Sequence, residues 1–287
     1  YQIYPRSFLD TNGDGVGDLK GVLAKLDYLA ELGVETLWLT PFFDSPQRDF
    51  GYDIRSYGQV AADHGTWADF DQLLSAVHGR GMRLVLDMVL NHTSDEHPWF
   101  REALRRKDSK ERDYYLFRRG RGEGGSAPPT NWRSMIGPRG WHYHAASDEW
   151  YFASFLPFQP DLNHRNPDVQ KAVLAIVEGF LRKGVDGLRL DIFNAMFKDA
   201  GFLDNPPSLR PLPSEDNADG FFQRNLYTIN HPDSVAFART LRAHVDAVPG
   251  DPRFLVGEVF GPPSLLRSYC GEMGEGLNMD FLFHTLR

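Results

Sequence analysis

Gly187-Leu-Arg-Leu-Asp191 decides the fold. Val185 to Asp191 reads as a buried strand, entered from a helix that Gly184 closes. The strand ends on a carboxylate, and a charge at the end of an apolar run needs a partner. Arg189 stands two residues earlier, so it leaves the strand on the same side as Asp191 and can supply that partner. Two other stretches share the design. Arg83-Leu-Val-Leu-Asp-Met-Val-Leu90 is a core strand carrying Asp87, and Phe254 to Val259 is a strand carrying Glu258.

Helical segments separate these strands. Leu19, Val22, Leu23, Leu26, Leu29 and Leu32 fall at helical spacing up to Gly33, and Thr36-Leu-Trp-Leu-Thr40 follows as a strand. Thr66 with Asp69 forms a capping pair ahead of Phe70, Leu73, Leu74 and Val77. Asn166-Pro167 opens a helix along Val169, Val173, Ile176, Val177 and Phe180. Ser234 to about Val248 reads as another, and Met279 to Phe283 as a last strand. This alternation means a parallel sheet covered by helices. A closed (β/α)8 TIM barrel and an open doubly wound sheet both satisfy the periodicity. Asp87, Asp191 and Glu258 at strand ends favour the barrel, because those ends converge on one mouth. About five or six βα units are visible, so the barrel is expected to be incomplete. Residues 92–165 break the alternation with Gly120-Arg-Gly-Glu-Gly-Gly125, Pro128-Pro129 and many aromatic and polar side chains. That length exceeds an ordinary connection. The expected division is therefore 1–91 as the first part of the barrel, 92–165 as an irregular inserted domain after the third strand, and 166–287 as the second part.

Composition narrows the function. The chain has 287 residues, 41% of them hydrophobic and 13% aromatic, and a formal net charge of −8. An acidic balance argues against nucleic acid, which needs clustered cations, and the short basic run from Arg118 to Arg121 reads as a solvated loop. Cys270 is the single cysteine, which excludes an internal disulfide or a cysteine metal cluster. No apolar stretch reaches the length of a membrane span. The chain opens on Tyr1 inside a strand, so its start is expected to be cut; a cytoplasmic location is the expectation.

Asp10-Thr-Asn-Gly-Asp-Gly-Val-Gly-Asp18 places oxygen donors at every second residue. Asp10, Asn12, Asp14, the Val16 carbonyl and Asp18 suit a hard cation, Ca²⁺ or Mg²⁺, in a structural role. Gly21 stands where an EF-hand carries Glu, and the preceding segment is a strand, so the loop is not an EF-hand; a glycine-rich turn with capping aspartates is the other reading. For Asp191 and Glu258 the residues alone leave two readings open, a catalytic pair or two structural ion pairs. Arg189 would keep Asp191 ionised. Glu258 has no adjacent cation in sequence, which would allow a raised pKa and service as an acid.

Asp87-Met-Val-Leu-Asn-His92, Gly187 to Asp191 and Val256-Gly-Glu258 resemble, in order and spacing, the first three signature regions of glycoside hydrolase family 13, the α-amylase family. Gly51-Tyr-Asp-Ile54, Gln159-Pro-Asp-Leu-Asn163 and the Asp10–Asp18 loop resemble its oligo-1,6-glucosidase and α-glucosidase group. The resemblance covers essentially the whole chain. It implies that Asp191 is the nucleophile and Glu258 the general acid/base of a retaining hydrolase acting on short α-glucosides. It implies that Arg189 orients Asp191, that Asp53 and His92 bind hydroxyls of the glucose, and that Tyr52 stacks on that sugar. Asp87 and Asn91 would hold the loop that presents His92. A third carboxylate, on the family's fourth region, would lie past Arg287, so residues 1–287 alone are expected to be inactive. The same residues would serve a transglucosylase, a trehalose synthase or a sucrose isomerase; the branched Ile192 leans towards α-1,6 bonds. Non-catalytic heavy subunits of amino-acid transporters are the rival of another class. An open-sheet serine hydrolase would want a Gly-x-Ser-x-Gly elbow, which is absent.

Overall fold

The computed structural model describes residues 1–209 and 222–281. Six strands form one all-parallel sheet: β1 (Gln2–Ile3), β2 (Thr36–Leu39), β3 (Arg83–Val89), β4 (Gly187–Asp191), β5 (Phe254–Gly257) and β6 (Met279–Asp280). Their order across the sheet is their order in the chain. A doubly wound sheet must reverse that order at a switch point, and here every crossover steps the same way. The sheet is six consecutive strands of a singly wound barrel, which resolves what periodicity left open. Register brings the ends together, with Val89 opposite Asp191 and Gly257 opposite Leu190.

The covering helices follow their local signals. α1 (Leu19–Ala24) and α2 (Leu26–Glu31) replace the single helix read from the leucine spacing, because Lys25 sits at φ −106°, ψ 8° between them. Asp18 caps α1 by accepting the Gly21 N–H at 2.7 Å. Gly21 is needed there for closeness: a Cβ would lie 2.0 Å from the Leu9 carbonyl oxygen. α3 (Trp67–Gly79) starts on a complete capping box between Thr66 and Asp69 and buries Phe70, Leu73, Leu74 and Val77. α4 (Pro98–Arg105) belongs to the long segment after β3. α5 (Pro167–Arg182) is capped by Asn166 and buries Val169, Val173, Val177, Phe180 and Leu181. α6 (Pro232–Asp246) begins two residues before the expected Ser234, since the His231 ring accepts the Asp233 N–H at 3.2 Å. Histidine is not among the usual caps, so its signal was silent. α7 (Pro263–Cys270) precedes β6. Of the strand expected over Met279–Phe283, the last two residues lie outside the described part.

Residues 92–165 are less irregular than expected. Phe117–Arg118, Glu149–Phe152 and Trp141–His144 pair as a three-stranded antiparallel sheet, in that order. Leu116, Trp132, Trp141 and Phe152 form a small core of their own. No helix among the described residues is long and apolar enough to cross a membrane.

The Asp10–Asp18 loop closes on itself. Asp10 accepts the N–H groups of Asn12, Gly13 and Gly15, at 3.0, 2.7 and 2.8 Å. Asp14 accepts the Val16 N–H at 2.8 Å, and Asp18 accepts both the N–H and the hydroxyl of Thr11. Among the described residues no three acid, His or Cys side chains gather so as to hold a metal. A bound ion would have to draw these oxygens together.

Candidate active site

The site is built around one guanidinium. Arg189 and Asp191 leave β4 on the same side, as strand alternation requires. Arg189 Nη1 donates to Asp87 Oδ1 at 2.8 Å and to Asp191 Oδ1 at 2.7 Å; Nη2 donates to Glu258 Oε2 at 2.6 Å. β3, β4 and the residue that follows β5 thus each contribute a carboxylate to one cation. Trp38 and Phe281 flank it, with Arg189 Cζ 5.3 and 5.7 Å from their ring centroids.

One positive charge cannot offset three buried negative ones. Burial pushes Glu258 up to about 7; the Asp191 charge adds to this, and Arg189 opposes it. Burial raises Asp191 to about 6 against the pull of Arg189, with Asp87 repelling, and burial likewise raises Asp87 to about 6. Near neutral pH the cluster therefore keeps a proton, and Glu258 holds it most tightly. Glu258 has a cation beside it in space, contrary to what its sequence neighbours suggest, and its high pKa arises from burial and like charge instead.

Asp87 does not hold the His92 loop. Its other oxygen accepts the Tyr52 hydroxyl at 3.1 Å and the Trp38 indole N–H at 3.2 Å, so it fixes Arg189 and the Tyr52 ring. Asn91 touches the next ring directly: its amide donates to His92 Nδ1 at 3.2 Å. This leaves the ring proton on Nε2, which faces the Tyr52 carbonyl at 3.2 Å. Burial lowers the His92 pKa, so the ring is neutral. Asn91 is fully buried, which closes its Asn-His-Thr sequon to glycosylation.

Asp53 requires correction. It is 0% exposed, and its carboxylate accepts the Ser45 hydroxyl at 2.8 Å and the N–H groups of Arg48 and Asp49 at 3.2 and 3.1 Å. It shapes the loop from beneath and offers nothing to a ligand. Asp49 takes the place expected of it. Positive φ at Phe50 (48°) and Gly51 (104°) turns the chain between the two acids. Asp49 then lines the cleft, where the Gln159 amide donates to it at 2.7 Å. Residue type alone could not choose between two aspartates four apart.

The cleft encloses about 430 Å³. Asp49, Tyr52, His92, Gln159, Arg189, Asp191 and Glu258 form its polar side, and Met135, Ile136, Phe155, Ile192 and Phe260 its apolar side. Beneath it, the Lys198 ammonium ion-pairs with Asp161 and donates to Asn91 Oδ1 at 2.9 Å and to the Ala195 carbonyl. Sequence reading did not single out Asp49, Gln159 or Lys198 for this site.

Comparison with known proteins agrees with this fold. The profile described as alpha amylase, catalytic domain, matches residues 2–287. A probable alpha-glucosidase of Rhizobium meliloti (strain 1021) is 43% identical over 293 residues, covering 100% of this chain and 52% of that protein. Trehalose-6-phosphate hydrolase of Escherichia coli (strain K12) is 43% identical over 289 residues, covering 100% and 49%. Among solved structures, an alpha-glucosyl transfer enzyme superposes with a TM-score of 0.92 at 41% identity, over 99% of this chain and 53% of its own. Isomaltulose synthase from Klebsiella sp. LX3 gives 0.89 at 36% identity, over 100% and 49%. The chain spans about half the length of the relatives it matches. A six-stranded segment of barrel, an acid cluster at its mouth and a profile match over nearly every residue lead to one conclusion: this chain belongs to the α-amylase catalytic-domain family.

Proposed function

We propose that the protein is a retaining glycoside hydrolase acting on α-glucosidic bonds of short oligosaccharides. The observation that carries this reading is the shared grip of Arg189 on Asp191 and Glu258, which brings both carboxyls to one guanidinium. Inverting enzymes keep their two carboxyls roughly 6.5–9.5 Å apart to seat a water, and retaining ones about 5–5.5 Å; two carboxyls on the two ends of one guanidinium support the narrow spacing. In the first step Asp191 attacks the anomeric carbon and an ester bond forms. The glycosidic bond breaks with its electron pair on the leaving oxygen, which takes the proton of Glu258. In the second step Glu258, now ionised, removes a proton from water as that water attacks the same carbon and frees Asp191. Asp49, His92 and Gln159 hold sugar hydroxyls, and Tyr52 offers its ring to the sugar face. Polarimetry or NMR on freshly released glucose tests this reading: the α-anomer must appear first, and the β-anomer would overturn it.

Two further results are expected. The first concerns pH. Catalysis needs Asp191 ionised and Glu258 protonated, so kcat/KM should be bell-shaped, rising through about 6 and falling through about 7. A flat profile across that range would contradict the assignment. The second separates the two aspartates. Asp49→Asn should lower kcat/KM by ~10–100-fold, the worth of a charge-assisted hydrogen bond, with little change in melting temperature. Asp53→Asn should mainly lower the melting temperature. The reverse pattern would restore Asp53 to the sugar.

A transglucosylase or isomerase of the same family is the second reading, favoured by the apolar side of the cleft, which would shed water from the glucosyl ester. Product analysis on maltose, isomaltose, sucrose and trehalose separates the two. For the Asp10–Asp18 loop we propose a structural Ca²⁺, or Mg²⁺ in its place. Its donors are all hard oxygens, and each carboxylate keeps acceptor capacity beyond its present hydrogen bonds. Chelation should lower the melting temperature, and Asp14→Ala should abolish that sensitivity. An unchanged melting curve after confirmed metal loss would leave the closed turn as the whole story.

A further inference from the structure

Ile192, directly after Asp191, has φ 38° and ψ 47°. A left-handed backbone costs an L-residue roughly 1–2 kcal/mol, and for a β-branched one it is a true outlier. Such strain persists where the surroundings impose it. Here its consequence is visible. The turn aims the Ile192 N–H at Glu258 Oε2, 3.1 Å away, and the next N–H, of Phe193, at the Glu258 carbonyl, 3.0 Å away. The Glu258 N–H in turn donates to the Leu190 carbonyl at 2.9 Å. Glu258 is thus held at its main chain and its side chain by the residues flanking Asp191.

We propose that Ile192 is a positioning residue for Glu258: its strained main-chain N–H, with Arg189 Nη2, fills Oε2 and leaves Oε1 to carry the acid proton. This rests on the reading of Glu258 as the acid/base. Oε2 accepts two donors, from Arg189 at 2.6 Å and Ile192 at 3.1 Å. Those use both its lone pairs, so a proton there would face another hydrogen. The proton therefore resides on Oε1, and from Oε1 it passes to the leaving oxygen. Oε2 stays an acceptor in both protonation states, so the carboxyl need not rotate between its two roles. The N–H also favours the ionised form, opposing the burial that raises this group.

The test replaces the Ile192 amide by an ester, through incorporation of the α-hydroxy analogue of isoleucine in the whole protein. The basic limb of kcat/KM should move to higher pH by roughly half a unit or more, because a donor to the ionised form is lost. kcat should fall ~10-fold with KM nearly unchanged, because the donor binds no substrate. Ile192→Gly keeps the N–H but frees the backbone, and should move the limb the same way by less. Ile192→Asn, at ease in the left-handed region, should leave the limb in place. A limb unmoved in both the ester and glycine proteins overturns the proposal, and the glycine protein alone decides if the ester one fails to fold. Glu258→Gln is the control for the underlying reading. With a leaving group that needs no proton, its basic limb should vanish; a limb that persists would sink Glu258 as the acid, whatever Ile192 does.

Discussion

Asp191→Asn is expected to reduce turnover of an aryl α-glucoside by at least ~10⁴-fold in the whole protein, the scale on which enzymes lose activity with their nucleophile. An amide cannot form the glucosyl ester, so the covalent step has no substitute. The melting temperature should stay level or rise. Asp191 is one of three carboxylates on the Arg189 guanidinium, and burial and like charge raise all three. A raised folded-state pKa means that the native state binds protons the unfolded state has released. Each such group therefore costs stability as pH rises from its unfolded value through its folded one. Neutralising Asp191 relieves part of that cost. Loss of activity with gain of stability marks a functional cluster. Retention of even a tenth of the activity would show that Asp191 is not the nucleophile, and a marked fall in melting temperature would show that it is structural.

Lys198→Met carries the largest expected effect on stability. Lys198 is 3% exposed and Asp161 0%. Asp161 also accepts the Ser154 N–H and hydroxyl, at 2.7 and 2.6 Å. Removing the ammonium leaves a buried carboxylate with no cation, a loss of about 3–5 kcal/mol. Its three oxygen partners come from the 92–165 segment (Asp161), the end of β3 (Asn91) and the turn after β4 (Ala195). Asn91 is hydrogen-bonded to His92, so KM should rise as well. Lys198→Met with Asp161→Asn should recover part of the stability, because the uncompensated charge is gone. Urea denaturation measures both. A single variant within ~1 kcal/mol of the parent would mean that Asp161 does not depend on the ammonium.

Much of this architecture is written in local sequence. The Thr66/Asp69 capping box and the Asn166-Pro167 helix start are short-range signals, and both form as read. Arg189 beside Asp191 is equally local, since a strand places residues two apart on one side. What escaped reading was long-range or depended on a turn. The cation beside Glu258 is Arg189, 69 residues away in sequence. Lys198 reaches Asn91 across 107 residues, and nothing in Phe197-Lys-Asp199 announces a buried ammonium. Asp49 and Asp53 exchange roles because the chain bends at Phe50 and Gly51, which composition does not reveal. A barrel segment could not be told from a doubly wound sheet until strand order was known, since both wind the same βα units.

The central claim is that Asp191 becomes covalently glucosylated. Incubation of the whole protein with a fluorinated α-glucosyl fluoride, which forms the ester readily and loses it slowly, followed by peptide mass spectrometry, tests it directly. The account predicts one fluoroglucosyl group per site, located on Asp191, and none in Asp191→Asn. A label on Glu258 or elsewhere, or an unlabelled enzyme that still turns the reagent over, would contradict it.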